Sequence, residues 1–141
     1  MNIGIVKEYV SDQEEVNELN ILAKEHQVTI FCNYHEKNID ANFACMQLIE
    51  AFHFKGYLFT DELECLLQCK KCLLKKDLYY YCRKIDWQKD VNLQFQFMQK
   101  TLLDEKLNIL IKNDKDQEII TKLTGKTPKL LSDWSRLGEI L

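Results

Sequence analysis

Three cysteines, Cys65, Cys69 and Cys72, carry the most explicit chemical pattern in the chain. They read C-x3-C-x2-C. Three thiolates at such a spacing can hold three irons of a four-iron cluster and leave the fourth open. The same positions, i, i+4 and i+7, also fall on one face of a helix, and free cysteine is among the most buried side chains. The expectation is a buried helix face and no metal. Zinc is the other possibility, with Cys69, Cys72 and Cys82 as ligands and Cys65 or a histidine as the fourth. A structural zinc site usually pairs two knuckles, and only one C-x2-C is present. Cys32 and His35 suggest a nucleophile and base, but Cys32 lies in an apolar strand pattern and needs a third, orienting group to act.

The second set of candidates is acidic and aromatic. Asp-Trp occurs twice, at Asp86–Trp87 and Asp133–Trp134, each just after a strand signal. A carboxylate can take two hydroxyls of a sugar or ribose while the indole stacks on its apolar face. The plainer alternative is Trp as a lid on the sheet end and Asp as a helix cap. His35 and Asp61 also follow strand signals. The expected ligand-binding set is therefore His35, Asp61, Asp86, Trp87, Asp133 and Trp134, with no catalytic residue assigned. Lys7-Glu8-Tyr9-Val10-Ser11-Asp12 contains no glycine, so the dinucleotide fingerprint and the phosphate loop are both missing. No cofactor is expected.

These residues need a scaffold that brings strand ends together. Apolar runs recur at Ile3–Val6, Val28–Cys32, Tyr57–Phe59, Leu78–Cys82, Leu107–Ile111 and Lys129–Leu131. Helical patterns separate most of them, which predicts βαβ units and a parallel sheet. Ser11 and Glu14 form a capping box before Val16, Leu19 and Leu22. Asp40 is placed to cap a helix carrying Phe43, Met46, Ile49 and Phe52. Asp61 with Glu64 opens another, and Asp114 or Asp116 opens the one that Gly125 ends. Asp90–Asp104 is read as a helix, although Val91, Leu93, Phe95 and Phe97 alternate as in a strand. The expected fold is a Rossmann-like three-layer α/β sandwich, with a mostly parallel sheet of five or six strands, in one domain over residues 1–141. In such sheets ligands sit beyond the carboxyl ends of the strands.

Composition bounds the partners. The 141 residues are 46% apolar and 29% charged, an ordinary globular balance. The net charge of −3 gives no nucleic-acid footprint. Charges at Lys7 and Glu8 interrupt the opening apolar run, and no stretch approaches a membrane span. The expectation is a soluble cytoplasmic protein with reduced thiols, no nucleic-acid partner and no membrane partner. A sugar or nucleotide ligand, a protein partner and a homodimer stay open.

The opening Met1–Val6, followed by Leu22-Ala23-Lys24-Glu25-His26-Gln27-Val28-Thr29-Ile30-Phe31, resembles the start of two-domain (GT-B) glycosyltransferases. There a first strand, a helix ending in Leu-Ala and a His-x-Val-Thr strand open the N-terminal half. Lys55-Gly56-Tyr57-Leu58-Phe59-Thr60-Asp61 and Ser132-Asp133-Trp134 look like proteins of this kind from tailed phages. The resemblance covers most of the chain at the level of layout. It implies the acceptor-binding half of such an enzyme, incomplete as a catalyst alone. The Gly-rich turn and the donor-binding half of the family are missing. The cysteine spacing is similar to that of radical-SAM enzymes, whose motif follows the first strand of a much longer barrel. Asp61 and Lys112 are placed as in response-regulator receivers, but Glu8 alone stands for their acidic pair, Asn113 for their proline, and Lys129–Trp134 is surplus. That resemblance implies a non-catalytic, pseudo-receiver-like interaction module as the alternative function.

Overall fold

The computed structural model describes residues 1–83 and 99–141. The strands are β1 (Asn2–Val6), β2 (Tyr9–Val10), β3 (Gln27–Cys32), β4 (Tyr34–His35), β5 (Ala44–Gln47), β6 (Tyr57–Thr60), β7 (Asp77–Cys82), β8 (Leu107–Ile111) and β9 (Lys129–Leu130). The α-helices are α1 (Gln13–Leu22), α2 (Leu63–Lys70) and α3 (Gln117–Thr124), joined by 3-10 helices at Leu48–His53, Asp114–Asp116 and Trp134–Glu139. Seven strands pair in the order β5-β3-β1-β6-β7-β8-β9, every pair parallel. β2 and β4 form a separate parallel pair. This is the doubly wound order, with its switch point between β1 and β6. It extends the 2-1-3-4-5 order of receiver-like sheets by a strand at each edge.

The sheet is covered on both faces, which is why its inner strands are apolar without alternation. Ile3, Ile5, Ile30, Phe59 and Tyr81 face Val16, Leu19 and Leu22 of α1 and Trp134 and Leu137 of the last 3-10 helix. Val6, Phe31, Leu58 and Tyr80 face the opposite layer, which holds Leu66 of α2, Ile120 of α3, Leu102 and the 3-10 helix at Leu48–His53. All six expected strands form. Gly125 ends α3 in the left-handed conformation at φ 70°, where glycine carries no Cβ penalty.

Three expectations need correction. The helix expected after Asp40 is instead the edge strand β5 followed by a 3-10 helix. Side chains of α1 take up the backbone that a helix would have used. Asn20 Nδ2 donates to the Asp40 carbonyl at 2.9 Å, and the Asn42 N–H donates to Asn20 Oδ1 at 2.7 Å. The chain is thus held extended as it enters β5. Second, Asp12 rather than Ser11 caps α1, its Oδ1 accepting the Glu14 N–H at 2.9 Å. Third, Asp61 caps nothing. Glu62 occupies the cap position of α2 without a side-chain bond, and the Glu62 N–H donates to Thr60 Oγ1 at 3.1 Å. Of the helix expected over Asp90–Asp104, residues 99–102 are helical and the earlier part lies outside the described residues. Among the described residues, no helix is long and apolar enough to cross a membrane.

Close approach of the chain fixes one glycine. A Cβ on Gly56 would lie 2.5 Å from the Asn2 carbonyl oxygen, an immovable backbone atom at the start of β1. Gly56→Ala is therefore expected to cost about 1–3 kcal/mol through overpacking. Urea denaturation measures it, and an unchanged midpoint would contradict the packing of β6 entry against β1.

Candidate functional site at the carboxyl edge of the sheet

The switch point is filled by side chains. Where a dinucleotide fold turns sharply after its first strand, this chain runs on as β2 beside β4, and α1 starts only at Gln13. Lys7 at the end of β1 occupies the space so created. Its Nζ donates to both oxygens of Glu15 at 2.8 and 2.7 Å and to Asp61 Oδ2 at 3.3 Å. The Lys7, Glu15 and Asp61 side chains are only 11%, 5% and 8% exposed. Arg83, directly after β7, reaches the same centre. Its guanidinium lies 3.4 Å from Glu18 Oε2, and its Nε lies 3.5 Å from Asp61 Oδ2. It also lies over the rings of Tyr81 and Trp134, at 5.4 and 5.5 Å. Trp134 closes the group: its Nε1 donates to Glu15 Oε1 at 2.9 Å, and its backbone N–H to Glu18 Oε2 at 3.2 Å.

Two cations thus face three carboxylates in a partly sealed space. Burial alone would lower the Lys7 pKa, but Asp61 and Glu15 outweigh it, and the ammonium titrates above its ordinary value. Burial raises the Asp61 pKa, against the pull of Lys7 and Arg83. Burial likewise raises Glu18 and Glu62. Two buried atoms have no hydrogen-bond partner here, Asp61 Oδ1 and Arg83 Nε. Around them stand further carboxylates. Glu62 accepts the Glu8 N–H at 2.8 Å, and Glu8 accepts from Asn33 Nδ2 at 2.8 Å. At the N-terminus of α1 Asp12 accepts the Glu14 N–H and Glu14 and Glu15 stand in the first turn, which disfavours an anion there.

The residues expected to bind ligand do not form one cluster. Asp61 lies at the switch point. Trp134 joins the same network but is fully buried, with its ring edge-on to Phe59 and Tyr81, so its faces offer no stacking platform. Asp133 caps the last 3-10 helix, accepting the Ser135 N–H at 2.8 Å. His35 is exposed on β4, its Nδ1 3.2 Å from the Glu36 carbonyl oxygen. Asp86 and Trp87 lie outside the described residues. Glu15 and Glu18 were not anticipated. One sign was available: Glu15 stands at i−4 and i−7 from Leu19 and Leu22, an acid on the apolar stripe of α1.

The cysteines belong elsewhere. Cys65 and Cys69 on α2, and Cys72 after it, are buried in the apolar layer against Leu58, Leu66 and Leu78. Burial pushes the Cys65 thiol up to about 12 and Cys32 to about 11, and raises Cys69 further. Among the described residues, no group of three His, Cys, Asp or Glu side chains is placed to hold a metal ion. Cys45, on the edge strand β5, is exposed.

Compared with protein-family models, curated proteins and solved structures, the chain matches none.

Three outcomes follow from this geometry. Lys7→Met would strand Glu15 and Asp61 in the interior and is expected to cost about 3–5 kcal/mol. Asp61 is an acid whose folded pKa lies above its ordinary 3.8. Its contribution is full below that value and is lost as the pH rises through the folded pKa. The wild type should therefore lose stability relative to Asp61→Asn as the pH rises from 3.8 toward neutrality. Urea midpoints taken stepwise in pH would show it, and a flat difference would count against the buried carboxylate. In thiol titration of the native protein, one cysteine in six, Cys45, should react quickly and the buried five only on unfolding. Rapid reaction of a second thiol would contradict the burial of these five.

Proposed function

We propose that the chain is a Rossmann-like sugar-binding domain of the acceptor-side GT-B kind, which holds a hydroxyl-rich ligand over the crevice between β1 and β6. The observation that carries this is the chemistry of the switch point. Glu8, Asp61 and Glu62 wall it, and Asp61 Oδ1 is an acceptor without a donor. Carboxylates accept hydrogen bonds from sugar hydroxyls, and charge-assisted bonds of this kind are the stronger ones. They repel phosphates, and no glycine turn brings backbone N–H groups to receive one. The domain would thus bind the neutral, hydroxylated partner of a glycosyl transfer, while a separate nucleotide-binding element supplies the donor. Doubly wound sheets bind at this place, although fold alone does not choose the ligand.

A second function, a non-catalytic interaction module, is favoured by one observation. Lys7 and Glu15 are paired with each other and nearly closed to solvent, as in a purely structural network.

Saturation-transfer NMR separates the two. Maltose, N-acetylglucosamine and UDP serve as probes against the wild type and Asp61→Asn. Transfer to a saccharide, absent with UDP and lost in a folded Asp61→Asn, is the expected result. No transfer to either saccharide would favour the interaction module, and transfer that survives in Asp61→Asn would put the saccharide elsewhere than the switch point.

A further inference from the structure

The two ends of the sheet carry opposite charge. In the described loops at the carboxyl ends of the main-sheet strands, nine carboxylates stand with five cations. At the amino ends, seven lysines stand with three carboxylates. The lysines concentrate where α2 leads into β7, in the run Lys70-Lys71-Cys72-Leu73-Leu74-Lys75-Lys76. This turn is firmly held. Cys72 is buried, and its Sγ donates to the Gln68 carbonyl at 3.3 Å. Lys75 Nζ donates to the carbonyls of Lys70 and Cys72 at 3.4 and 2.9 Å. The Lys76 N–H donates to the Gly56 carbonyl at 2.7 Å.

That frame pushes Leu73 outward. It is 88% exposed, more than any other large apolar side chain described, and Leu74 beside it is exposed too. Leu67 on α2 and Leu103 in the adjoining loop are also exposed, and Lys70 Nζ ties the two segments together by donating to the Thr101 carbonyl at 2.9 Å. Leu73 shares a surface groove with Lys70, Lys75, Lys76 and Lys106. The acids in that groove are Asp77, Asp104 and Glu105, and Asp104 already pairs with Lys70 at 3.3 Å.

From this we propose that the amino end of the sheet, centred on Leu73 and Leu74, docks peripherally on an anionic lipid bilayer. Exposed leucines seek an apolar medium and lysines seek anions. The boundary between headgroups and acyl chains of an anionic leaflet offers both within a few ångströms. Nucleic acid would satisfy the lysines alone. Its single strands stack on aromatic rings, and the Tyr57 ring already lies beneath Lys76 Nζ at 5.8 Å. The acid-rich edge lies at the opposite ends of the same strands, so repulsion from the leaflet keeps the amino end foremost. The expectation of no membrane partner rested on the missing span, and surface docking needs none.

Co-sedimentation of the full chain with vesicles is the test. Phosphatidylcholine vesicles are compared with vesicles that also contain phosphatidylserine. Binding only to the latter, weakening as salt rises, is expected. Leu73→Asp should weaken it by about tenfold or more at an unchanged melting temperature. As a second variant, Lys71→Gln with Lys76→Gln should weaken binding and flatten its salt dependence. No sedimentation with phosphatidylserine vesicles would overturn the proposal, as would binding indifferent to Leu73→Asp. Stronger binding to a single-stranded oligonucleotide, unaffected by Leu73→Asp, would overturn it in favour of nucleic acid.

Discussion

The buried ammonium of Lys7 is the interaction on which the rest of this structure depends. It directly follows β1, an inner strand at the switch point of the sheet, and neutralises carboxylates delivered by α1 and by the end of β6. Arg83 and Trp134 then bring β7 and the last 3-10 helix to the same centre. Removing such charges from water costs several kcal/mol per ion, and only near-complete mutual pairing offsets it. The network therefore sets which elements meet and at what angle. α1 cannot slide along the sheet without uncovering Glu15, and the last helix cannot lift without exposing the indole N–H.

The same ion group explains why a doubly wound sheet lacks the usual use of its switch point. A phosphate site needs a tight glycine turn and a helix N-terminus with free N–H groups. Here β2 lengthens the connection, Lys7 fills the gap, and acids cap α1. Glu15 and Asp61 face Lys7 and Arg83 at the carboxyl edge, and lysines prevail at the other end.

The architecture was largely legible because buried parallel strands are short apolar runs separated by helix-length segments, and each such run became a strand. β5 was not, because Phe43, Met46, Ile49 and Phe52 fit a helical stripe and the decisive contacts come from Asn20 and Gln13 on α1. No local pattern in residues 40–47 encodes them. The site was legible at Asp61, at Glu15 only as an acid on the apolar stripe of α1, and not at Glu18, since acids in a helix ordinarily mark its solvated face. Asp133 and Trp134 stand as cap and lid, the plainer of the two readings of the Asp-Trp pair. A motif lists side chains, and only the packing around them decides whether a ring face is offered or covered.

The bond between Trp134 and Glu15 joins residues 119 positions apart in the chain. During synthesis α1 emerges with an acid on its inner stripe, and the indole that completes its pairing emerges 119 residues later. That face of the sheet therefore closes only once the helical turn at Trp134 is available, a long-range contact whose loop-closure cost slows folding. A nascent chain halted before residue 134 would present α1 without the indole that covers Glu15, an open layer that a chaperone would recognise and a protease could enter.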